Sequence, residues 1–266
     1  MVENIITSVQ NSKIKKLRSL KQKTTRDTLN MFVAEGDKVI KDAMNAGLKA
    51  LDIFVLDIKS SKFIEIINLA LEKKFPVNYV NEKVLSSISQ TKSPQGIIAV
   101  FDKPENGFSL EAMNNIRFAA ILEEIKDPGN LGTIIRTCDA VGVDLIIMEN
   151  CTDIYNPKVI RASMGSIFNL PCYDTKLQQC IEHMVKDDWQ IGCGHLKGDN
   201  FFNRVQKHKV ALVIANEARG ISEATSDLCT DLWKLPMNGK ADSLNASIAA
   251  GIMLYDIHNK MIWKIL

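Results

Sequence analysis

The sequence predicts an α/β protein whose larger part is built on a parallel sheet. Short apolar runs of strand length alternate with segments of helical periodicity along the whole chain of 266 residues. The later runs are almost continuously apolar, which is typical of parallel strands covered by helices on both faces. A polar segment with one proline and one glycine, residues 102–107, divides the alternating pattern into two parts. We therefore expect a small α/β domain followed by a larger one.

Each element follows from its own periodicity and from the turn residues that bound it. In the first part the pattern predicts helices at 12–23, 36–47, 63–71 and 83–88, and strands at 31–34, 51–56, 77–80 and 96–101. In the second part it predicts strands at 118–122, 145–148, 189–193 and 210–214, and helices at 131–141, 158–168, 177–185 and 244–258. The predicted domains are residues 1–103 and 111–266, joined by a linker at 104–110.

Composition excludes several classes of protein. With 46% hydrophobic and 24% charged residues, the chain has the balance of a globular protein with a sizeable core. Its apolar runs are too short to span a membrane, and its first residues lack a secretory pattern. Six cysteines form no CxxC pair, and four histidines are widely spaced, so we expect reduced thiols, no metal site and a cytoplasmic location.

Charge is distributed unevenly along the chain. Residues 1–103 contain 17 Lys and Arg against 11 Asp and Glu, whereas the remaining residues contain 16 against 20. Near the start, seven basic residues occur with no acid among them: Lys13, Lys15, Lys16, Arg18, Lys21, Lys23 and Arg26. This block is consistent with a polyanion-binding surface, and equally with a solvated helix face.

Polar residues and glycines concentrate at three strand-to-helix junctions of the second part, at 124–136, 213–222 and 235–247. In open parallel sheets ligands bind beyond the carboxyl ends of the strands, so these junctions are the candidate site. Asn130 is placed to cap the helix that carries Arg136, and Glu217 follows a buried strand. No P-loop and no GxGxxG fingerprint is present. The glycine-rich residues 192–198 are interpreted as a loop that bends the chain.

Together the three junctions resemble the signature motifs of the SpoU/TrmH family of RNA methyltransferases, within the SPOUT superfamily. Residues 130–136 resemble the NxGxxxR motif, 215–220 the GxExxG motif and 235–247 the IPMxGxxxSLNVS motif. Residues 156–168 are similar to a further Arg-, Ser- and Gly-containing segment of the family. Three positions depart from the pattern: Ala215 replaces glycine, Leu235 replaces isoleucine and Ala246 replaces valine.

The first part resembles the substrate-binding domain of the same family, through residues 32–36 and 93–100. With the basic segment it is most similar to the branch that methylates large-subunit ribosomal RNA. The resemblance implies an L30e-like RNA-binding domain, a catalytic domain with a C-terminal trefoil knot, S-adenosylmethionine (AdoMet) as methyl donor without a metal, and a homodimer. It implies no association with membranes.

The resemblance also implies roles for individual residues. The catalytic residues it implies are Asn130, Arg136, Glu217, Ser243 and Asn245. The implied cofactor-binding residues are Ala215, Asn216, Gly220, Leu235, Met237, Gly239 and Leu244. RNA binding is assigned to Lys13, Lys15, Lys16, Arg18, Lys21, Lys23, Arg26 and Arg161.

The expected activity is methylation of a ribose 2′-hydroxyl in RNA, with 23S ribosomal RNA as the first substrate to test. Three alternatives stay open. They are a transfer RNA methyltransferase of the same family, a non-catalytic RNA-binding protein that kept the fold, and a nucleotide-dependent oxidoreductase. Ala215 is the residue that favours a non-catalytic protein, because a methyl group there could weaken cofactor binding. The oxidoreductase lacks the glycine fingerprint that it would need.

Overall fold

A computed structural model describes residues 5–91, 93–104, 107–216 and 219–262 of the chain. The chain divides into two compact units, the first comprising Met1–Glu105 with Asp153–Phe168 and the second Asn106–Thr152 with Asn169–Leu266. This division differs from the predicted domains in one respect, because residues 153–168 pack with the first unit.

Helices and strands follow one another along both units. Up to residue 102 they are β1 (Ile5–Ile6), α1 (Ser12–Ser19), α2 (Lys23–Leu29), β2 (Met31–Glu35), α3 (Asp37–Asn45), β3 (Ala50–Leu56), α4 (Ile64–Glu72), β4 (Val77–Val80), α5 (Glu82–Ile88) and β5 (Ile97–Asp102). From residue 118 they are β6 (Phe118–Glu123), α6 (Pro128–Ala140), β7 (Leu145–Glu149), α7 (Pro157–Ser163), β8 (Cys172–Asp174), α8 (Leu177–Lys186), β9 (Gln190–Asn200), β10 (Val210–Ala215), α9 (Glu223–Leu228), β11 (Asp231–Lys234) and α10 (Ala246–Ile262).

The first unit is built on a mixed five-stranded sheet in the order β1-β4-β3-β5-β2. β5 runs antiparallel to both of its neighbours, and the other pairs are parallel. One apolar cluster lies with α3 and α4, and another lies with α1 and α5. The sheet is therefore covered on both faces, which explains the apolar character of β5.

The predicted helix at 12–23 ends four residues early, and a second helix that was not predicted follows it. α1 ends at Ser19, and α2 begins at Lys23 after Gln22, whose backbone is extended. Ile14, Leu17 and Leu20 are buried, as their spacing predicted. The three-residue apolar period therefore identified the buried face correctly but not the point where the chain changes direction.

Aromatic and ionic contacts explain why residues 153–168 belong to the first unit. The ring of Phe32 on β2 stacks on Tyr155 and Phe168, with centroid distances of 5.0 and 5.8 Å. Ile160 of α7 is buried in the cluster with α3 and α4. Asp153 accepts hydrogen bonds from the guanidinium of Arg26. These contacts join positions more than a hundred residues apart, which local periodicity does not reveal.

The second unit confirms the predicted parallel sheet. Its six strands lie in the order β11-β9-β10-β6-β7-β8, and every pair is parallel. β6 and β10 are central and fully buried except at their last residues. α10 packs against α6 and β10. The carboxyl ends of β6 and β10 therefore lie side by side, where the candidate site was expected.

The glycine-rich segment at 192–198, interpreted from sequence as a loop, lies within strand β9. The pairing of β9 with β11 shifts register there, from Leu232 opposite Cys193 to Trp233 opposite Asp199. Gly192 lies against the ring of Trp233, and a Cβ on it would be only 2.2 Å from that ring. The glycine thus permits close packing inside a bulged strand. β8, β11 and α9 were not predicted either, because they are short.

Candidate active site

The site is formed by three segments that follow β6, β10 and β11 at the carboxyl edge of the second sheet. β6 and β10 pair in register up to their last residues, so that Ala215 lies opposite Glu123. This alignment brings the first two segments together. β11 lies at the edge of the sheet beyond β9, and its segment, residues 235–245, leads into α10.

The first segment begins α6 in a different way from the one predicted. Asp127, and not Asn130, caps the helix, and its Oδ1 accepts a hydrogen bond of 2.8 Å from the backbone N–H of Asn130. Pro128 occupies the first helical turn, where its missing N–H has no cost. Asn130 therefore lies within the first turn of α6, and its side chain is available for contacts outside the helix.

Asn245 joins the third segment to the first. Its Nδ2 donates a hydrogen bond of 3.1 Å to Oδ1 of Asn130. Its own Oδ1 accepts from the backbone N–H of Ser247 at 2.9 Å and of Ile248 at 3.3 Å, so Asn245 caps α10. Two predicted catalytic residues 115 positions apart thus meet in one contact, and the structure fixes the orientation of both amides.

The second segment turns tightly around Asn216. The backbone N–H of Gly220 donates to the carbonyl of Asn216 at 2.9 Å, and Gly220 has a φ of +70°. Glycine adopts this left-handed backbone conformation without the steric cost that a side chain brings, which explains that position of the motif. The Nδ2 of Asn216 donates to the carbonyl of Glu124 at 3.1 Å, which links the second segment to the first. Glu217, predicted to be catalytic, lies outside the described residues.

Glu123, which sequence analysis did not select, holds the far side of this turn. Its carboxylate accepts from the backbone N–H of Ser222 at 2.9 Å, and from the hydroxyls of Ser222 and Thr225, each at 2.7 Å. These bonds orient the second segment against the end of β6. An acidic residue that ends an otherwise apolar strand was the signal that could have identified it.

The residues of the third segment are all exposed or half-buried. Leu235, Met237 and Leu244 are half-buried, whereas Gly239 and Ser243 are exposed. In the described part of the chain, the backbone groups of residues 236–244 take part in no hydrogen bond. Apolar side chains beside unbonded backbone donors and acceptors suit a flat heteroaromatic ligand such as adenine. Ser243 makes no described contact with the Asn130–Asn245 pair.

Arg136 is exposed on α6, two turns beyond Asn130. Six residues of helix place their Cα atoms about 9 Å apart along the axis. Within the described residues, the guanidinium of Arg136 makes no hydrogen bond or ion pair. The described chain therefore does not bring Arg136 to the Asn130–Asn245 contact, and it leaves all the guanidinium donors available to a ligand.

The thiol of Cys151 lies beside the end of β6 and is engaged within the chain. The Sγ of Cys151 donates to the carbonyl of Leu122 at 3.4 Å and accepts from the backbone N–H of Ile125 at the same distance. Burial raises the pKa of Cys151 to about 11, so the thiol stays protonated at neutral pH. All six cysteines are free. The described motif residues supply amides, a hydroxyl, backbone groups and a guanidinium to the site.

The residues predicted to bind RNA differ in their exposure. Lys15, Lys16, Arg18, Lys21 and Lys23 are exposed. Lys13 is bound to Asp52 at 2.6 Å, on a partly exposed surface. Arg161, on α7, is half-buried.

For Arg26 the structure contradicts the assignment to RNA binding. Its side chain is only 3% exposed, its Nε donates to Asp153 at 3.0 Å, and its Nη1 donates to two backbone carbonyls at 2.9 Å. The side chain satisfies buried acceptors and stabilises the first unit.

The described residues form neither a metal site nor a membrane-spanning helix. Among the described residues, no three His, Cys, Asp or Glu side chains come together as a metal site. In the same part of the chain, no helix is both long and apolar enough to cross a bilayer.

Comparisons with known proteins agree with this geometry. Residues 117–255 match the SpoU rRNA Methylase family, and residues 11–99 match the MRM3-like substrate binding domain. The 23S rRNA (guanosine(2553)-2'-O)-methyltransferase RlmP of Bacillus subtilis is 30% identical over 255 residues, covering 95% of this chain and 98% of that protein. A second B. subtilis protein, the putative TrmH family tRNA/rRNA methyltransferase YacO, is 34% identical, covering 74% of this chain and 82% of its own.

A solved structure extends the likeness to the whole fold. The AdoMet-bound rRNA methyltransferase from Sinorhizobium meliloti superposes with a TM-score of 0.86 and 31% identity, covering 97% of this chain and 98% of that one. Motifs, fold and relatives thus agree over nearly the full length. The chain belongs to the SpoU rRNA methylase family, and it is an RNA methyltransferase by that membership.

Proposed function

We propose that the protein transfers the methyl group of AdoMet to a ribose 2′-hydroxyl of 23S ribosomal RNA. The observation that carries this proposal is the contact between Asn130 and Asn245, which joins the first and third motifs at the carboxyl edge of the sheet. RlmP of B. subtilis, which matches this chain almost end to end, is named for this reaction, and the S. meliloti neighbour has AdoMet bound. Both support the same chemistry at this edge.

The third segment fits the adenosine part of AdoMet. Half-buried Leu235, Met237 and Leu244 offer apolar contacts to the adenine ring, and the unbonded backbone of 236–244 offers donors and acceptors to its edge. Ala215, Asn216 and Gly220 complete the proposed cofactor set from the second segment. When bound, AdoMet supplies an electrophilic methyl group on a positively charged sulfur.

Side chains of the proposed catalytic set position the ribose 2′-oxygen that attacks the methyl group. The guanidinium of Arg136 has five N–H donors and no acceptor, so it can bind the 2′-oxygen or an adjacent phosphate but cannot take a proton from either. We assign it the role of an anchor for the 2′-oxygen, which loses its proton to solvent while its lone pair displaces the sulfur of AdoMet from the methyl carbon. The guanidinium stabilises the negative charge that the oxygen gains as the proton leaves. The Asn130–Asn245 pair holds the amides that border the reacting groups, while Ser243 and Glu217 complete the proposed polar set.

A second copy of the chain is part of the proposal. α10 exposes Ile248, Ile252 and Tyr255 by 55, 39 and 51%, at a spacing that places them on one face of the helix. An exposed apolar face of this kind is typical of a subunit interface. We infer a homodimer through this face.

The dimer is tested by Ile252→Glu, with Val205→Glu as its control. Val205 is 85% exposed, so the control places the same charge on an apolar residue outside this face. Light scattering after gel filtration should give a dimer for the wild type and for Val205→Glu, and a monomer for Ile252→Glu. Dimers for all three proteins would contradict the proposed interface.

Two finer features of the fold are also proposals. One is the trefoil knot, which is supported by the path from β11, at the sheet edge, to α10, which packs on α6 and β10. The other is an L30e-like fold for the first unit, which we propose as the RNA-binding unit because it carries the exposed basic block. Because the proposed substrate is ribosomal RNA, we also propose a cytoplasmic location.

The decisive experiment is transfer of labelled methyl from AdoMet to unmodified 23S ribosomal RNA and to transfer RNA, with ribose methylation mapped by sequencing. We expect one 2′-O-methyl site in 23S RNA. A site in transfer RNA alone would establish the alternative substrate. Absence of both transfer and AdoMet binding would contradict the proposal and indicate a non-catalytic RNA-binding protein.

A further inference from the structure

The second sheet has a cavity at the edge opposite to the candidate active site. It has a volume of about 170 Å³ and lies at the amino ends of β6, β7 and β10, beside the end of α10. Its described lining is Arg117, Phe118, Gly142, Asp144, Lys207, His208, His258, Met261 and Ile262. None of these residues belongs to the three motifs. Widely spaced histidines gave no sign of a common site in the sequence, but two of the four line this cavity.

The polar lining consists mostly of hydrogen-bond donors. In the described chain the side chains of Arg117, His208 and His258 form no hydrogen bond or ion pair. Lys207 is bound to Asp188 at 2.6 Å, but this pair is exposed and so holds the lysine weakly. Arginine and lysine only donate, and they repel cations, so the lining selects an anion.

The one carboxylate in the lining is already engaged. Oδ2 of Asp144 accepts from the backbone N–H groups of Arg117 and Phe118, each at 2.9 Å. These bonds disperse its charge and hold the start of β6 beside the loop before β7. Asp144 therefore helps to build the cavity wall, and it leaves the guanidinium of Arg117 without a carboxylate partner.

A buried hydrogen bond fixes the opposite walls of the cavity relative to each other. Gln206 is 3% exposed, and its Nε2 donates to the carbonyl of Ile257 on α10 at 2.8 Å. The next residue, Lys207, donates its backbone N–H to Oε1 of Gln190 at 3.1 Å. The segment with Lys207 and His208 is thus attached to the helix that carries His258. The backbone that carries these donors is therefore held in place before any ligand arrives.

The size of the cavity limits the ligand. Sites for whole drug-sized molecules or cofactors have volumes of roughly 300–1,000 Å³, so a cavity of about 170 Å³ suits a single oxyanion group with its waters. We propose that this cavity binds a phosphate group, carried by an RNA phosphodiester or by free phosphate. This site is independent of the proposed methyl transfer, because it shares no residue with that machinery.

The test is an NMR titration of the full-length protein with inorganic phosphate. We expect saturable shifts of resonances near the cavity for the wild type, and about tenfold weaker binding for Arg117→Gln. Lys209→Gln is the matched control. Lys209 is a neighbouring cation that is bound to Asp187 at 2.6 Å and does not line the cavity, so its loss should change phosphate binding by less than twofold. His258→Leu removes a donor from the other wall and provides a second test if Arg117→Gln folds poorly.

A second titration, with a short single-stranded RNA, distinguishes the two sources of phosphate. If Arg117→Gln and His258→Leu weaken both phosphate and RNA binding, the ligand is the RNA backbone. If they weaken phosphate binding alone, the ligand is free phosphate. Absence of phosphate binding by the wild type, or equal binding by wild type and both cavity variants, would overturn the proposal.

Discussion

Two regions of the molecule use polar side chains in opposite ways. Around α2 of the first unit, the guanidinium of Arg26 is buried and bonds to Asp153 and to two backbone carbonyls. At the carboxyl edge of the second sheet, Arg136 is exposed and has no partner in the described chain, and the backbone of 236–244 is unbonded. Polar groups satisfied within the chain stabilise the fold, whereas groups left open are available to a ligand.

The largest expected effect tests the satisfied region. Arg26→Ala leaves the carboxylate of Asp153, which is only 10% exposed, without its partner, and it should lower the free energy of unfolding by about 3–5 kcal/mol. Urea denaturation measures this change. The control is Lys23→Ala, an exposed residue of the same helix, which should change stability by no more than about 0.5 kcal/mol. Similar losses for both variants would contradict the structural role of Arg26.

The open region is tested by Arg136→Ala. We expect methyl transfer to fall roughly 10²–10³-fold, because a donor to the developing charge is lost, while the unfolding midpoint stays unchanged. Arg136→Lys keeps the charge but loses the planar fork of donors, and it should recover only part of the activity. Single-turnover transfer of labelled methyl measures both variants. Near-normal turnover by Arg136→Ala would show that this side chain is not part of the catalytic set.

Asn245 lies between the two extremes, because its side chain both caps α10 and contacts Asn130. Asn245→Ala should cost about 0.5–2 kcal/mol of stability through the lost cap, and it should also reduce activity. Asn245→Asp keeps the capping oxygen but not the donor to Asn130, so it should keep stability and still lose activity.

The matched control for Asn245 is Asn81→Ala. Asn81 caps α5 in the first unit by accepting from the backbone N–H of Val84 at 2.9 Å. Its loss should lower stability by a similar amount without lowering methyl transfer at a temperature where the protein is folded. Full activity of Asn245→Asp would show that the Asn130–Asn245 contact is only structural.

The smallest effect concerns the exposed part of the basic block. If Lys16 contacts one RNA phosphate, Lys16→Ala should reduce the slope of log affinity against log salt concentration by about 0.7–0.9. RNA binding at several salt concentrations measures the slope. Lys49→Ala, an exposed lysine outside the block, should leave the slope unchanged. A slope that is insensitive to Lys16 would favour the alternative interpretation of the block, a solvated helix face.

Local patterns predicted the elements well where the chain is strongly periodic. The central strands β6 and β10 and the helices α6, α8 and α10 lie close to their predicted positions, because apolar runs and helical periods are properties of neighbouring residues. Short elements such as β8 and β11 carry too few residues for a period. The glycines of β9 predicted a loop, but the segment is a strand. Gly192 has no side chain, and this leaves room for the ring of Trp233 against the backbone.

For the candidate site, the order of the motifs identified the family, but not how its residues meet. Asn130 was expected to cap α6, and that position is taken by Asp127 three residues earlier. The contact of Asn130 with Asn245, and the support that Glu123 gives to the second segment, depend on which strands are neighbours. Strand order is decided by packing over the whole sheet, which no single segment contains.

The sequence by itself determined the fold class and the parallel character of the second sheet, and it predicted the edge at which we propose that ligands bind. These follow from apolar runs, glycines and polar junctions, whose physical consequences are local. Only the tertiary structure decided that Arg26 is buried against Asp153, that residues 153–168 belong to the first unit, and that Arg117, His208 and His258 share a cavity. Each of these facts joins residues far apart in the chain. Such pairs form because burial and hydrogen bonding are satisfied across the fold as a whole, and not within any segment.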